Sequence, residues 1–167
     1  MTTLTQPLRD EHKELYPEVE LLRTAGDAIQ EALTSADEAK IDQAYMFLTH
    51  HLLPHAQAEE AALYPVVGKA MGAPEATATM RRDHQEVQRL TEQLDALRTR
   101  TGGTITGGDA ASLRCVLYGL YTLVKVHFAK EEEVYLPLLD AVLTPEQAHA
   151  MFEAMEEAAR NAKSAIA

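Results

Sequence analysis

The sequence contains few of the residues that break helices or cross-link chains. Its 167 residues include 8 Gly, 7 Pro, 1 Cys and no Trp. Because turns need glycine and proline, this scarcity predicts long regular elements, and the length predicts one domain over residues 1–167. The single cysteine, Cys115, excludes an intramolecular disulfide, and its apolar surroundings (LRCVLYGL) predict a buried, inert thiol.

Basic residues are scarce as well. The chain has 15 Lys and Arg against 26 Asp and Glu, a formal net charge of −11 at pH 7. This charge repels phosphate backbones and anionic lipids, so we expect neither nucleic acid nor a membrane as a partner. The sequence also lacks an apolar run of about 18 residues and an N-terminal basic and apolar signal segment. We therefore expect a cytoplasmic protein, whose oligomeric state the sequence leaves open.

Apolar residues recur along the chain at spacings of three, four or seven, the period of an amphipathic helix. The pattern predicts four long helices: from Leu8 to near Leu33, from a cap at Ser35 or Asp37 to Gly72, from Pro74 to about residue 100, and from Asp109 to Leu138, with Val134 and Leu138 inward. Residues 101–108 (TGGTITGG) are expected to form a flexible link, and Thr144, Pro145 and Gln147 to start a shorter fifth helix. The expected fold is all-α, an antiparallel up-down-up-down four-helix bundle with a short fifth C-terminal helix.

Two parts of the chain resemble each other at an offset of 72 residues. The offset relates His12 to His84, His55 to His127, Glu59 to Glu131, Glu60 to Glu132 and Pro65 to Pro137. The surrounding sequences agree, since RDEHKEL resembles RRDHQEV and HAQAEEAALYP resembles HFAKEEEVYLP. The repeat predicts two similar helical hairpins, at about residues 8–70 and 80–140.

Six of the repeated residues fall on the apolar stripes of the helices: His12, His55, Glu59, His84, His127 and Glu131. In each hairpin the second helix carries His-x3-Glu, and residues four apart lie on one helix face. Buried carboxylates without partners are costly, and no lysine or arginine shares these stripes. Bound cations remove this cost. Six ligands from four helices suit two metal ions better than one, and imidazole and carboxylate donors without a thiolate favour iron, with manganese or zinc less favoured.

The pattern H…H-x3-E…H…H-x3-E, with Leu-Tyr-Pro or Tyr-Leu-Pro after each glutamate, resembles the hemerythrin-like (HHE cation-binding) family over residues 8–140. The resemblance implies a non-heme diiron centre with an oxygen bridge and bridging glutamates, used for dioxygen, peroxide or nitric oxide chemistry or for sensing. It implies the same six residues as ligands. Classical members use an acid five residues after the last histidine, which makes Glu132 an alternative to Glu131.

One departure from the oxygen-carrying hemerythrins concerns the third helix. Those proteins have a second histidine one turn along it, whereas here Met80 and Gln88 stand four residues on either side of His84. One iron is then expected to lack a protein imidazole, which leaves a position for water, peroxide or another side chain. Tyr64, before Pro65, matches a position where some members offer a phenol. It is the candidate catalytic residue, with core packing as the alternative.

Several other polar or sulfur-containing residues are given lesser roles. His50 and His149 are expected on the surface, and His51 at a helix edge, with a contact to the site as the alternative. Glu60 and Glu132 are expected either in solvent or orienting ligands from outside. Tyr16, Met46 and Met80 are expected to pack in the core.

The sequence therefore favours a diiron oxidoreductase that handles hydrogen peroxide, nitric oxide or dioxygen, with catalase-like or peroxidase-like activity. A non-catalytic oxygen or redox sensor, or an iron-binding protein, is the alternative, and a metal-free interaction bundle is the third. A ferritin-like carboxylate protein is excluded, since it needs Glu-x-x-His on two helices and only Glu146 to His149 has this spacing.

Overall fold

The computed structural model describes residues 3–29, 33–101 and 106–165, and every regular element in these ranges is helical. The first helix is Gln6–Ala28. The second spans residues 35–70, the third is Ala78–Thr101 after a 3-10 turn at Pro74–Thr77, the fourth spans residues 107–142, and the C-terminal helix is Pro145–Ser164. None of these helices is long and apolar enough to cross a membrane.

Threonine side chains cap three of the helices. The second helix is capped by Thr34, which forms a capping box with Asp37, so the cap precedes the predicted Ser35 by one residue. Thr106 caps the fourth helix by accepting a hydrogen bond from the backbone N–H of Asp109. Thr144 and Gln147 form the predicted capping box of the C-terminal helix. The first helix ends at Ala28, earlier than predicted, and part of the 101–108 link lies outside the described residues.

Three π-turns interrupt the second and fourth helices, each ending just before a proline. The second helix consists of α-helical segments Ser35–Phe47, Leu53–Ala58 and Tyr64–Ala70 joined by π-turns Leu48–Leu52 and Glu59–Leu63; the fourth consists of Gly107–Lys130, π-turn Glu131–Tyr135 and Leu136–Val142. The residue before each proline donates its N–H to the carbonyl five residues back. The wider turn suits a proline, which has no N–H and crowds the carbonyl four residues back.

The π-turns shift which residues face the core. Within and after the π-turn Glu131–Tyr135, the buried residues are Tyr135 and Leu139, whereas Val134 is 54% exposed and Leu138 is only half-buried. The prediction that Val134 and Leu138 point inward was therefore wrong. It assumed a constant period of 3.6 residues, and a π-turn adds a residue to one turn of the helix.

Two other burial predictions were wrong. Cys115 is exposed, because the buried stripe of the fourth helix passes through other positions: Leu113, Val116, Leu117 and Leu120. Met46 is exposed as well, while Met80 is fully buried as predicted. Tyr16 packs edge-to-face on Phe128, which agrees with the expected packing role.

The helices pack into a bundle with two apolar clusters. The first helix contacts the second and fourth, the third contacts the second and fourth, and the C-terminal helix packs on the second between residues 53 and 63. One cluster contains Leu15, Leu52, Val87 and Val124, and the other contains Leu8, Ala58, Met80 and Tyr135. On each of the four long helices, a histidine lies between a member of one cluster and a member of the other. The four histidines therefore meet in a layer between the two clusters.

Candidate metal centre

The structure brings all six residues predicted to face the core into one cluster. His12, His55, His84 and His127 come from four different helices, and each is at most 8% exposed. The two glutamates, Glu59 and Glu131, are fully buried at the start of the repeated π-turns. The α-helical period just before each π-turn thus places the histidine and the glutamate four residues later on the same inner face.

Each imidazole is held from outside by a carboxylate at its Nδ1 atom. The pairs are His12 with Glu132 (3.1 Å), His55 with Glu11 (3.0 Å), His84 with Glu60 (2.8 Å) and His127 with Asp83 (3.1 Å). A carboxylate accepts, so Nδ1 carries the proton in every ring. In its neutral form, a ring with this tautomer presents the lone pair of Nε2 to the centre of the bundle.

The outer carboxylates follow the same repeat as the inner residues. Adding 72 to Glu11 gives Asp83, and adding 72 to Glu60 gives Glu132. Glu60 and Glu132 lie outside the cluster, and each contacts the Nδ1 atom of one imidazole, as expected for residues that orient rings from outside. The sequence analysis missed Glu11 and Asp83, although a signal existed, since each stands directly before the histidine of its repeat.

Both glutamates face both halves of the cluster. We call His12 and His55 the first half-site and His84 with His127 the second half-site. Glu59 places Oε1 2.9 Å from His55 Nε2 and Oε2 3.2 Å from His84 Nε2. Glu131 places Oε1 3.4 Å from His127 Nε2 and Oε2 3.4 Å from His12 Nε2. Each half-site therefore has two ring nitrogens and one oxygen from each carboxylate.

The inner atoms of this cluster lack ordinary hydrogen-bond partners. Among the described residues, buried side-chain atoms without a partner are His12 Nε2, His55 Nε2, both Glu59 oxygens, Glu131 Oε2 and Thr77 Oγ1. All but the last belong to the cluster. In the second half-site His84 Nε2 and His127 Nε2 lie 3.0 Å apart, and two lone pairs at that distance repel unless a cation or proton lies between them. The donor set therefore fits metal ions.

A family model for the hemerythrin HHE cation-binding domain matches residues 3–139. The chain belongs to this family. Comparison with curated proteins and with solved structures finds no match. Two groups in this hemerythrin-like domain have ligand atoms within 4.8 Å of one another, His12 with His55 and Glu59, and Glu59 with His84 and His127. These groups suit the metal ions, typically iron, that HHE domains bind. The C-terminal helix lies beyond the matched residues.

The buried carboxylates of this hemerythrin-like centre shift the pKa values of the histidines around them. Burial lowers the pKa of His127, but hydrogen bonds with Asp83 and Glu131 outweigh it and raise the pKa to about 11. The pKa of His55 is likewise raised well above its usual value, since the charge of Glu59 outweighs burial. Burial and the charge of Glu59 raise the pKa of Glu131. A metal ion that binds here must therefore displace protons.

Tyr64 lies inside the centre, on the side of the second half-site. Its hydroxyl lies 3.2 Å from both His84 Nε2 and His127 Nε2 and donates a hydrogen bond to Glu131 Oε1 at 3.0 Å. The π-turn at Glu59–Leu63 directs the Tyr64 side chain inward, whereas an uninterrupted α-helix would direct it away from His55. Burial and the charges of Glu59 and Glu131 raise the pKa of Tyr64.

The other candidate residues lie outside the cluster. Glu132 is one-third exposed and touches His12 from outside, so Glu131 is the acid that faces the centre. Gln88 is exposed and donates to Glu92, and no described side chain on the third helix supplies a second imidazole. The remaining histidines are exposed: His50, His51 and His149.

A small cavity adjoins the centre on the side opposite Tyr64, within the other apolar cluster. Its volume is about 10 Å³, and its walls are His55, Glu59, His84, His127 and apolar side chains. A space of this size accommodates about one water molecule. It touches both half-sites, since His55 belongs to the first and His84 and His127 to the second.

Proposed function

We propose that His12, His55, Glu59, His84, His127 and Glu131 hold two iron ions, one in each half-site, and that the protein disproportionates hydrogen peroxide there. The observation that carries the proposal is a set of buried inner atoms without hydrogen-bond partners, namely His12 Nε2, His55 Nε2, both Glu59 oxygens and Glu131 Oε2, beside the two ring nitrogens of His84 and His127 that face each other at 3.0 Å. A plain helical bundle would not retain such a set, because every one of these atoms costs free energy when it is buried unpaired.

Two ions account for this donor set better than one. The half-sites are related by the 72-residue repeat, and each has two ring nitrogens and two carboxylate oxygens. A single ion in one half-site would leave the inward lone pairs of the other uncompensated. Nitrogen and oxygen donors without a thiolate suit iron, and the matched family binds cations.

The bundle that positions these residues fits the predicted antiparallel up-down-up-down order within one domain. Contacts join early to late residues: Thr5 bonds Asp140, Glu20 bonds Tyr121 and Asp27 bonds Tyr118. This order supports opposite directions for the first and fourth helices. The predicted hairpins, at about residues 8–70 and 80–140, then face each other across the metal centre.

Peroxide suits the centre because of its size and its redox balance. Two peroxide molecules give one dioxygen and two waters, so no outside reductant is required. Bound iron would supply Lewis acidity and one-electron redox chemistry, and a pair of ions can exchange two electrons. The cavity beside the centre has a volume of about 10 Å³, so larger substrates have no room there, and peroxide is among the smallest molecules that this chemistry could use. The Tyr64 hydroxyl donates a hydrogen bond to Glu131 Oε1, and Tyr64 could transfer this proton to an oxygen atom of peroxide held in the centre.

Metal analysis of the protein as purified tests the first part of this proposal. We expect about two irons per chain after growth in iron-replete medium. Zinc alone, or no metal, would refute the diiron assignment. An absorption spectrum of the same sample should contain a phenolate-to-iron band if Tyr64 ligates, and this band should disappear in Tyr64→Phe.

Oxygen release from hydrogen peroxide tests the second part. An oxygen electrode should record turnover by the iron-loaded protein and none by the metal-free protein. Repeated reversible binding of dioxygen by the diferrous protein, without peroxide turnover, would replace the enzyme with an oxygen carrier or sensor.

A further inference from the structure

The repeat that relates the two half-sites breaks at one position beside the rings. The residue 72 before Phe128 is Ala56, so a large aromatic side chain in one half corresponds to a methyl group in the other. Both residues lie one position after a histidine of the cluster, and both line the small cavity. The difference in their size therefore acts directly beside the metal centre.

In the first half-site, Phe128 closes the space beside the ring. It stacks on His12 with ring centroids 4.1 Å apart and an interplanar angle of 8°. It also meets His55 edge-on at 5.7 Å. His12 has no exposed surface. The Phe128 ring therefore covers His12 where the fourth and first helices meet.

In the second half-site, no ring from the described part of the chain fills the corresponding space. Ala56 lies there on the second helix, and the cavity extends from it to His84 and Val87 on the third. His84 is 8% exposed and Ala56 is 6% exposed, against 0% for His12. The centre thus comes closest to solvent between the second and third helices.

We propose that small ligands reach the metal centre through this gap at Ala56, while Phe128 closes the equivalent gap between the fourth and first helices. The inference rests on the proposed diiron function and adds to it the route and the residue that sets its width. Because the cavity residues apart from the histidines and Glu59 are apolar, the route favours small molecules with at most one charge, such as hydrogen peroxide, dioxygen and nitric oxide.

The test is the rate at which azide binds the diferric protein, followed by stopped-flow absorption. Ala56→Leu narrows the gap, and we expect association slowed by about tenfold or more, because a packed side chain must move aside. Phe128→Ala opens the equivalent gap and should accelerate association. The exchanged double variant, Ala56→Phe with Phe128→Ala, should bind azide faster than Ala56→Phe alone.

Ala44→Leu is the matched control. Ala44 lies on the same helix and is fully buried in the apolar cluster away from the glutamates, so it reproduces the overpacking without touching the cavity. It should lower stability and leave the azide rate unchanged. Normal iron content with an unchanged azide rate in both Ala56→Leu and Phe128→Ala would overturn the route. Absence of iron from the unmodified protein would refute the diiron function itself, so the two failures are distinguishable.

Discussion

The four outer carboxylates offer a graded test of how the bundle holds its metal. Glu11, Glu60, Asp83 and Glu132 each accept a hydrogen bond from one imidazole Nδ1, at 2.8 to 3.1 Å. Replacing each by its amide keeps an oxygen acceptor and removes the negative charge. The ring keeps its orientation but becomes a weaker donor, so metal affinity should fall while the fold persists.

The expected loss of metal affinity in each variant depends on how exposed the replaced carboxylate is. Loss of such partners costs roughly 10- to 100-fold in metal affinity, about 1.4 to 2.7 kcal/mol. Asp83 is the least exposed, at 16%, and is also held by Lys130, whereas Glu11 is 48% exposed. Water screens the exposed charge more strongly. We therefore expect Asp83→Asn at the upper end of this range, Glu11→Gln at the lower end, and the other two between them.

Competition with a coloured chelator measures these affinities, with Fe²⁺ added anaerobically and Zn²⁺ as a redox-inactive comparison. Glu14→Gln and Glu133→Gln are the controls, since both side chains are exposed neighbours on the same helices and neither has a contact with a ring of the cluster among the described residues. Equal affinity in all four variants, or the same loss in the controls, would show that the outer contacts do not tune the metal ligands.

Two further outcomes follow from the inner residues. The variants Glu59→Ala and Glu131→Ala should bind less iron and unfold at a temperature about 5 to 10 °C lower, because ions bound only to the folded state stabilise it. The control variant His149→Ala should change neither property. Equal iron content in all three variants would refute the choice of residues. Because the pKa of His127 is raised to about 11 and that of His55 is also raised, metal binding at neutral pH should release protons, and affinity should rise with pH. Calorimetry in buffers of different ionisation enthalpy measures this release, and its absence would contradict the protonated metal-free centre.

The inward direction of six residues could be predicted from the sequence because each lies on a regular stretch of helix. Between His55 and Glu59, and between His127 and Glu131, the ordinary spacing of four residues applies, so the apolar stripe predicted both faces. Beyond the glutamates the period changes. The exposure of Val134 and the inward direction of Tyr64 both follow from π-turns, which a pattern based on 3.6 residues does not contain. The prolines after Tyr64 and Leu136 were the available signal.

Contacts between helices could not be predicted in the same way. Glu11 contacts a ring on another helix, as do Asp83 and Glu132. Such contacts depend on the register between helices, which the periodicity within one helix does not determine. The repeat nevertheless carried some of this information, since all four outer acids obey the 72-residue offset.

The departures from the repeat are as informative as its agreements. Two identical hairpins would give two equal metal positions. Here the second half-site has Tyr64 and Ala56 beside it, whereas the corresponding residues beside the first half-site are Leu136 and Phe128. A phenol on one side of the His84 and His127 rings, and an open cavity on the other, give this half-site both a proton donor and a route for a small molecule. The first half-site has a buried leucine and a stacked ring at the corresponding places, so it has no phenol beside it, and of its two histidines only His55 borders the cavity. We infer that the two ions differ in role, with exogenous ligand and proton meeting at the second half-site, because the phenol lies beside this half-site and both of its histidines border the cavity.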